Sequence, residues 1–383
     1  MNPADLVARV RAEVASGLDP ATLLTLYADP ARRVLLRERV RVAARVPLDD
    51  AAAEALCAEL FGFGPLQGLL DDPTVSDVLV NGPSAVFIER HGRLERTTVA
   101  FRDAAELAEL AHRIAASVGR ELTIEQPFVD ARMRDGSRAN AVIAPVGGPS
   151  LSIRKFRAAT VPLDGPAPSW VASGGLAAGA ALLLARAVEA RANVLISGAT
   201  GAGKSTFLRS LAVAIPAEER LVVIEDTNEL VLPHPHVVHL ECVPGRDGAG
   251  VRQADLVANA LRMRPDRIIV GEVRTPREAS ALLEALSTGH EGALTTIHAG
   301  SATDALARLE LLLARCGELA PTAIGEHVRR AIDLIAHLAR DRSGLRSVRE
   351  IAAVDGAGTQ VLWRYGAAAV AEPCGRLATR LAS

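Results

Sequence analysis

A glycine-rich run in the middle of the sequence has the residue types needed to hold phosphate. Residues 198–206 fit the pattern G-x-x-x-x-G-K-[ST] in full. The glycines let successive backbone N–H groups point at phosphate oxygens, and the N-terminus of the following helix adds positive charge. We expect Lys204 to reach the β- and γ-phosphates and the Ser205 hydroxyl to bind Mg²⁺. The residues predicted to contact the nucleotide are Gly198, Ala199, Thr200, Gly201, Ala202, Gly203, Lys204, Ser205 and Thr206.

Carboxylates follow the next apolar run along the chain. Residues 221–225 predict a buried strand, and Asp226 and Glu229 come shortly after it. Side chains at the carboxyl end of a parallel strand face the ligand crevice of an α/β sheet. One such carboxylate can activate water, and others can orient the waters around Mg²⁺. The alternative is a solvated turn after a strand, and this segment alone leaves that alternative open.

Glu272 and two histidines are further candidates. The apolar run 267–270 continues into Glu272, as a Walker B strand does, and this carboxylate is predicted to bind Mg²⁺ through water. His290 and His298 bracket the apolar run 293–297. Two histidines beside a strand in the domain of a phosphate-binding loop could sense the γ-phosphate. A metal site is disfavoured, because no third ligand follows at a suitable spacing.

Alternating strands and helices must position these residues. Short apolar runs separated by helical segments predict a mainly parallel sheet with helices on both faces. The predicted strands of this α/β region are 193–197, 221–225, 267–270 and 293–297, and the helix after the glycine-rich run is 206–214. Upstream, a mixed α+β region is predicted from the strands 75–81, 85–89, 140–144 and 151–156 and the helix 104–118.

In combination, these motifs resemble the type II/IV secretion ATPase superfamily, and within it the CpaF/TadA branch of tight-adherence (Tad) pili. The resemblance extends from about residue 61 to about residue 338. The motifs in the second half are the glycine-rich loop, the acidic segment 224–229 (the "Asp box"), the segment 261–274, and the segment 288–298 (the "His box"). Segments of the first half that are also similar to this branch are 64–66, 80–82, 135–138 and 152–156.

The resemblance implies a domain order. We expect a helical segment (residues 1–55), a PAS-like α+β domain (56–157), a proline-rich linker (158–169), a RecA-like P-loop ATPase domain (170–365) and a tail with little sequence signal (366–383). The family also implies a homo-hexameric ring, with ATP and Mg²⁺ bound in a cleft between the two domains.

The resemblance also implies roles for single residues. Glu229 would position or activate the attacking water, and Glu225 is the reserve candidate. Glu272 would be the Walker B acid that holds Mg²⁺ through water, and His298 would contact the γ-phosphate.

Three arginines of the first domain are further candidates. Arg132, Arg138 and Arg154 would reach the phosphates when the domains close, as arginine fingers do, and such a contact contributes roughly 10³–10⁵ in rate. The alternative for each is an ordinary surface arginine.

Composition limits the partners. The net charge of -2 and an aromatic content of 3% disfavour a nucleic-acid binder. The start of the sequence does not resemble a signal peptide, and the apolar stretch 171–188 is expected to be a packed helix. A basic run in the first 55 residues predicts either a solvated helix face or docking to an acidic partner or an anionic membrane surface. Its members are Arg32, Arg33, Arg37, Arg39, Arg41 and Arg45.

The sequence therefore predicts a cytoplasmic ATPase that powers pilus assembly or protein secretion, associated with the inner face of the cytoplasmic membrane through a platform protein. A conjugation-type or nucleic-acid-translocating ring ATPase with the same core is the alternative. A small-molecule P-loop kinase is a third class, but the long N-terminal domain fits it poorly.

Overall fold

The computed structural model describes residues 3–382, except for 15, 17–21, 23, 25, 26, 28, 91, 134, 157–159, 228, 244 and 246–249. The chain divides into two compact units, residues 1–157 and 158–383. Each unit has its own apolar core.

A six-stranded antiparallel sheet organises the first unit. Its strands, in the order β3-β2-β1-β6-β5-β4, are β1 (Val75–Val80), β2 (Val86–Arg90), β3 (Arg93–Arg96), β4 (Phe128–Arg132), β5 (Arg138–Val142) and β6 (Ser150–Arg154). One helix packs on one face of this sheet through Leu107, Leu110 and Ile114. The sequence predicted four of these strands and the helix. It missed β3, whose four residues are all exposed, and β4, which buries only Val129 and Ala131.

Short helices precede the sheet. The helices of the first unit are α1 (Pro3–Val14), α2 (Pro30–Ala44), α3 (Asp50–Phe61), α4 (Gln67–Asp71) and α5 (Ala104–Ser117). Asp29 and Asp49 cap α2 and α3, because their carboxylates accept hydrogen bonds from free N–H groups of the first turn. The predicted helical character of this segment is confirmed for its described residues. The expected boundary at residue 55 falls inside α3.

The basic run of α2 has two sides. Arg33, Arg37 and Arg41 recur every four residues and face acidic side chains of α3 and α4, including Glu54. Arg33 also pairs with Asp71 at 3.3 Å. The other three arginines, Arg32, Arg39 and Arg45, are exposed. Arg45, although exposed, also lies 3.5 Å from Glu13 of α1. Part of the run therefore links helices, and Arg32 and Arg39 face solvent.

An eight-stranded sheet organises the second unit. Its strands, in the order β14-β13-β12-β7-β11-β10-β8-β9, are β7 (Val194–Gly198), β8 (Leu221–Glu225), β9 (Val237–Glu241), β10 (Arg267–Val273), β11 (Leu294–Ile297), β12 (Leu334–Arg340), β13 (Arg346–Asp355) and β14 (Gly358–Arg364). The six strands from β12 to β9 pair in parallel, and β13 and β14 add an antiparallel hairpin. The predicted mainly parallel sheet is confirmed.

Helices cover both faces of this sheet. They are α6 (Ala178–Glu189), α7 (Lys204–Ala212), α8 (Gln253–Ala260), α9 (Pro276–Ser287), α10 (Ala302–Cys316), α11 (Pro321–Ala331) and α12 (Gly375–Ala382). Alternate residues of a strand point to opposite faces, so Val194 and Ile196 join one core cluster and Leu195 joins the other. Strands buried on both faces must be apolar throughout, which is why the sequence pattern located them.

The ends of the second unit are more ordered than the sequence indicated. Leu163 in the proline-rich segment is buried in the core, where Val171 N donates to its carbonyl at 3.1 Å. Helix α12 lies in the expected tail and packs against α6 and β13 through Leu377. Helix α6 occupies part of the apolar stretch 171–188 and is packed, as expected. Within the described parts of the chain, no helix is both long and apolar enough to cross a bilayer.

Candidate functional site

The phosphate-binding loop lies between β7 and α7, at the carboxyl edge of the sheet. Helix α7 begins at Lys204, two residues before the predicted start, and Gly203 caps it with a φ of +97° that favours glycine. Gly198 lies against β12, where an added Cβ would be 2.5 Å from the Leu338 carbonyl oxygen. Ser205 is exposed in the first turn of α7. The loop therefore has the strand–loop–helix context that the motif requires.

Lys204 is folded back onto its own loop. Its Nζ donates to the carbonyl oxygen of Gly198 at 3.0 Å and to that of Ala199 at 3.4 Å. Its side chain is 9% exposed, and it lies 3.9 Å from Glu272 Oε1. Burial lowers the pKa of Lys204, and the nearby carboxylate opposes this shift. The ammonium group is thus held at the loop ready to accept an anionic ligand.

Glu272 lies inside β10, which extends to Val273 rather than ending at residue 270. Its Oε1 is buried and accepts no hydrogen bond from the described residues. This oxygen also lies 3.6 Å from His298 Nε2. A buried carboxylate oxygen without a donor among the described residues, beside the phosphate-binding loop, suits a hard cation that prefers oxygen ligands. The residues present therefore fit Mg²⁺.

The two predicted histidines lie at opposite ends of β11. His298 follows the carboxyl end, and its Nε2 lies 3.3 Å from Thr200 Oγ1 of the phosphate-binding loop. Burial, and next the charge of Lys204, lower the pKa of His298. His290 precedes the amino end of the same strand, near Thr288. Because only one end of a parallel strand borders the ligand crevice, His298 lies beside the phosphate-binding loop and His290 lies at the other end of the strand.

Glu225 is buried at the end of β8, and its carboxylate is used by the backbone. Its two oxygens accept hydrogen bonds from the N–H groups of Glu229 and Leu230 at 3.0–3.1 Å. The carboxylate therefore fixes the turn that carries Glu229. This geometry is that of a structural acceptor, whereas Glu229 is half-buried and lies near the charge of Arg209.

Arg274, which had no predicted role, links two carboxylates at the acidic edge of the sheet. Arg274 donates to Glu272 Oε2 at 2.7 and 2.9 Å and to Asp226 Oδ2 at 2.7 Å. Arg274 and Asp226 both lie inside motif segments. The sequence could not show that the Arg274 guanidinium bridges Asp226 and Glu272. The parallel pairing of β8 with β10 brings them together.

Arg340 and Arg346 also reach the phosphate-binding loop. They face each other across β12 and β13. Arg346 Nε donates to the Gly201 carbonyl oxygen at 3.2 Å, and an added Cβ on Gly201 would lie 3.7 Å from Arg340 Nη1. No sequence motif marks them, because only the pairing of β12 with β7 places this hairpin beside the loop.

Arg132, Arg138 and Arg154 lie in the first unit and form one row. Arg138 is directly opposite Arg132 on β4 and Arg154 on β6. Their strands alternate so that the neighbours Ala131, Ala139 and Ile153 are buried. Arg154 Nε donates to Asp77 on β1 at 2.9 Å. The three arginines therefore lie side by side on the face of the sheet opposite these buried neighbours.

Known proteins resemble this chain over most of its length. The sequence profile of the type II/IV secretion system protein family matches residues 59–364. A Mycobacterium tuberculosis protein whose name assigns it to conjugal transfer is 41% identical over 79% of this chain and 87% of its own length. The type IV secretion system protein VirB11 of Brucella suis is 32% identical over 76% of this chain and 88% of its own length.

Among solved structures, the Legionella pneumophila ATPase DotB is similar in fold, with a TM-score of 0.55 and 23% identity over 76% of this chain and 80% of its own. Because the family profile matches residues 59–364, most of the chain, the chain belongs to the type II/IV secretion system protein family.

Proposed function

We propose that this chain is an ATP-hydrolysing motor of a machine that moves protein or pilus subunits across the cell envelope. The observation that carries the proposal is the position of Glu272, between Lys204 of the phosphate-binding loop and His298. A P-loop alone supports nucleotide binding, whereas a loop with an adjacent buried carboxylate and histidine supports hydrolysis. Family membership supports the link to secretion.

In this proposal the residues of the second unit bind and orient Mg²⁺–ATP. Lys204 leaves its own carbonyls and contacts the β- and γ-phosphates. Ser205 and Glu272 hold Mg²⁺, which neutralises phosphate charge when bound. His298 contacts the γ-phosphate, and Glu229 positions the attacking water.

Two variants test this assignment. Lys204→Ala should abolish nucleotide binding and phosphate release from ATP. Glu229→Gln should keep binding but lose phosphate release. Arg330→Gln is the matched control, because Arg330 is 76% exposed and pairs only with Glu326 of the same helix in the described contacts. Full activity in both site variants would contradict the proposal, provided that the control is also active.

We further propose that Arg132, Arg138 and Arg154 contact the phosphates of bound ATP. Their cross-strand row supports this role, because three arginines side by side on one face could contact several phosphate oxygens at once. Arg138→Ala should lower kcat far more than it raises the Kd for ATP. An unchanged kcat would return Arg138 to the ordinary surface arginines.

The motor is proposed to act as a homo-hexamer on an inner-membrane platform protein. Light scattering with and without Mg²⁺–ATP would reveal the number of subunits.

The outward side of α2 supports an additional contact with anionic lipid, since Arg32, Arg39 and Arg45 are exposed there along with Leu35 and Val42. Replacing the three arginines with glutamate should weaken pelleting with anionic vesicles, whereas Arg330→Glu should not.

A nucleic-acid motor is the second candidate. The names of relatives that refer to conjugal transfer favour a machine of that type. A motor that moves DNA directly should show ATP hydrolysis that DNA stimulates and that falls steeply with salt concentration. A motor that powers only protein or pilus transport should hydrolyse ATP at a rate that DNA does not change.

Membership of the tight-adherence branch of the family is proposed from sequence motifs alone.

A further inference from the structure

The guanidinium of Arg274 bonds two carboxylates, those of Glu272 and Asp226, at the nucleotide edge of the sheet. Arg274 makes two hydrogen bonds to the same oxygen of Glu272, Oε2, and a third to Asp226. Asp226 directly follows β8, and Glu272 lies in the neighbouring parallel strand β10. Charge-assisted bonds of this length are among the stronger polar contacts in proteins.

The backbone at Arg274 is fixed, but its side chain has room to move. Arg274 N and Thr275 N donate to Glu278 Oε2 at 2.7 and 2.9 Å, and Thr275 caps helix α9. The Arg274 side chain is 56% exposed, whereas that of Glu272 is 17% exposed. An exposed side chain on a fixed backbone can change its partner by rotamer alone.

The two oxygens of Glu272 have different surroundings. Oε2 is taken by Arg274, whereas Oε1 points toward Lys204 and His298. Asp226 instead lines a surface pocket together with Thr275 and Glu278. A guanidinium that left Glu272 could therefore keep Asp226 as its partner on the side of this pocket.

We propose that Arg274 is a positioning residue that competes with Mg²⁺ for the negative charge of the Glu272 carboxylate, holding Oε2 until Mg²⁺ and nucleotide bind on the side of Oε1. The guanidinium then leaves Glu272 and keeps Asp226. This inference rests on the proposed ATPase function, and it adds a competition between one side chain and the metal ion.

The test measures the Mg²⁺ concentration that gives half of the thermal stabilisation by ADP, in the full chain. Arg274→Gln removes the competitor, so the half-saturating Mg²⁺ concentration should fall by roughly tenfold, a typical coupling between two ligands of one site. The half-saturating Mg²⁺ concentration of Arg274→Lys should lie between those of Arg274→Gln and the unchanged chain. That of Arg330→Gln should equal that of the unchanged chain. An unchanged or higher Mg²⁺ requirement in Arg274→Gln would overturn the proposal.

A second variant keeps the test decisive if Arg274→Gln does not fold. Asp226→Asn leaves Arg274 with Glu272 as its remaining carboxylate and removes one negative charge, so the half-saturating Mg²⁺ concentration should rise. No change would overturn the proposal.

Without nucleotide, Arg274→Gln should lower Tm, because Glu272 and Asp226 then repel each other. Adding Asp226→Asn to this variant should restore part of the loss in Tm, because that substitution removes one of the two negative charges. An unaltered Tm in Arg274→Gln would mean that the bridge is not formed. A chain that gains no stability from ADP at any Mg²⁺ concentration would contradict the proposed function, while the nucleotide-free comparison would still test the bridge.

Discussion

The buried carboxylate of Asp333 provides the most quantitative test of this structure. Asp333 is fully buried at the start of β12, and Asn193 N donates to its Oδ2 at 2.9 Å. Two arginines of the C-terminal helix neutralise it. Arg380 Nε lies 3.1 Å from Oδ2, and Arg376 Nε lies 3.1 Å from Oδ1. Burial raises the pKa of Asp333, and its hydrogen bond to Asn193 and the arginines limit that rise.

Arg380→Met should destabilise the second unit because it leaves a buried charge with only part of its compensation. Breaking a buried ion pair by removing one partner costs about 3–5 kcal/mol. Arg376 and Asn193 remain, so we expect a cost at or just below the lower end of this range, about 2–3 kcal/mol. A unit of this size loses about 2–4 °C in Tm per kcal/mol, so the expected loss is about 5–10 °C.

The assay is thermal and urea unfolding of Arg380→Met, Asp333→Asn and the double variant. The double variant should recover most of the loss, because a neutral amide no longer needs the cation. The deficit of Arg380→Met should also shrink at acid pH. A carboxyl whose pKa is raised in the folded state destabilises that state as pH rises through this pKa, so protonation relieves the cost. A loss below 1 °C, or a double variant no better than Arg380→Met, would refute the reasoning.

Three further predictions follow from single contacts. Glu225→Gln should lower the free energy of urea unfolding by about 1–3 kcal/mol, because an amide has one acceptor oxygen for two backbone donors, whereas Glu229→Gln should leave it within 0.5 kcal/mol. His337, half-buried beside Ser197, has its pKa lowered by burial. The free energy of unfolding should therefore fall as pH drops below about 6.5, and His337→Asn should reduce this fall. Arg346→Gln should raise the Kd for ADP about fivefold in a fluorescence titration, because it releases the Gly201 carbonyl.

The sequence by itself determined the elements whose pattern is local. Strands β7, β8, β10 and β11 are largely buried on both faces, so each contains a short run with few charged residues, and each was predicted to within three residues at either end. The glycine-rich loop was equally readable, because phosphate binding needs glycine, lysine and serine at fixed spacing. The membership of the family was also visible in the order of these motifs.

Only the tertiary structure decided which side chains meet. Strand order brings Asp226 and Glu272 onto one arginine, although they lie in different motif segments. The hairpin β12–β13 carries Arg346 to the phosphate-binding loop across more than a hundred residues of sequence.

The tail shows the same dependence on distant contacts. Its helix is short, and besides the packing of Leu377 it is held by Arg380, which pairs with Glu291 and with Asp333. Asp333 gives no sign of its burial in the sequence. Local pattern specifies a strand or a loop, whereas the role of a charge depends on its neighbours in space. For this reason the phosphate-binding loop could be predicted, and the network of charges around it could not.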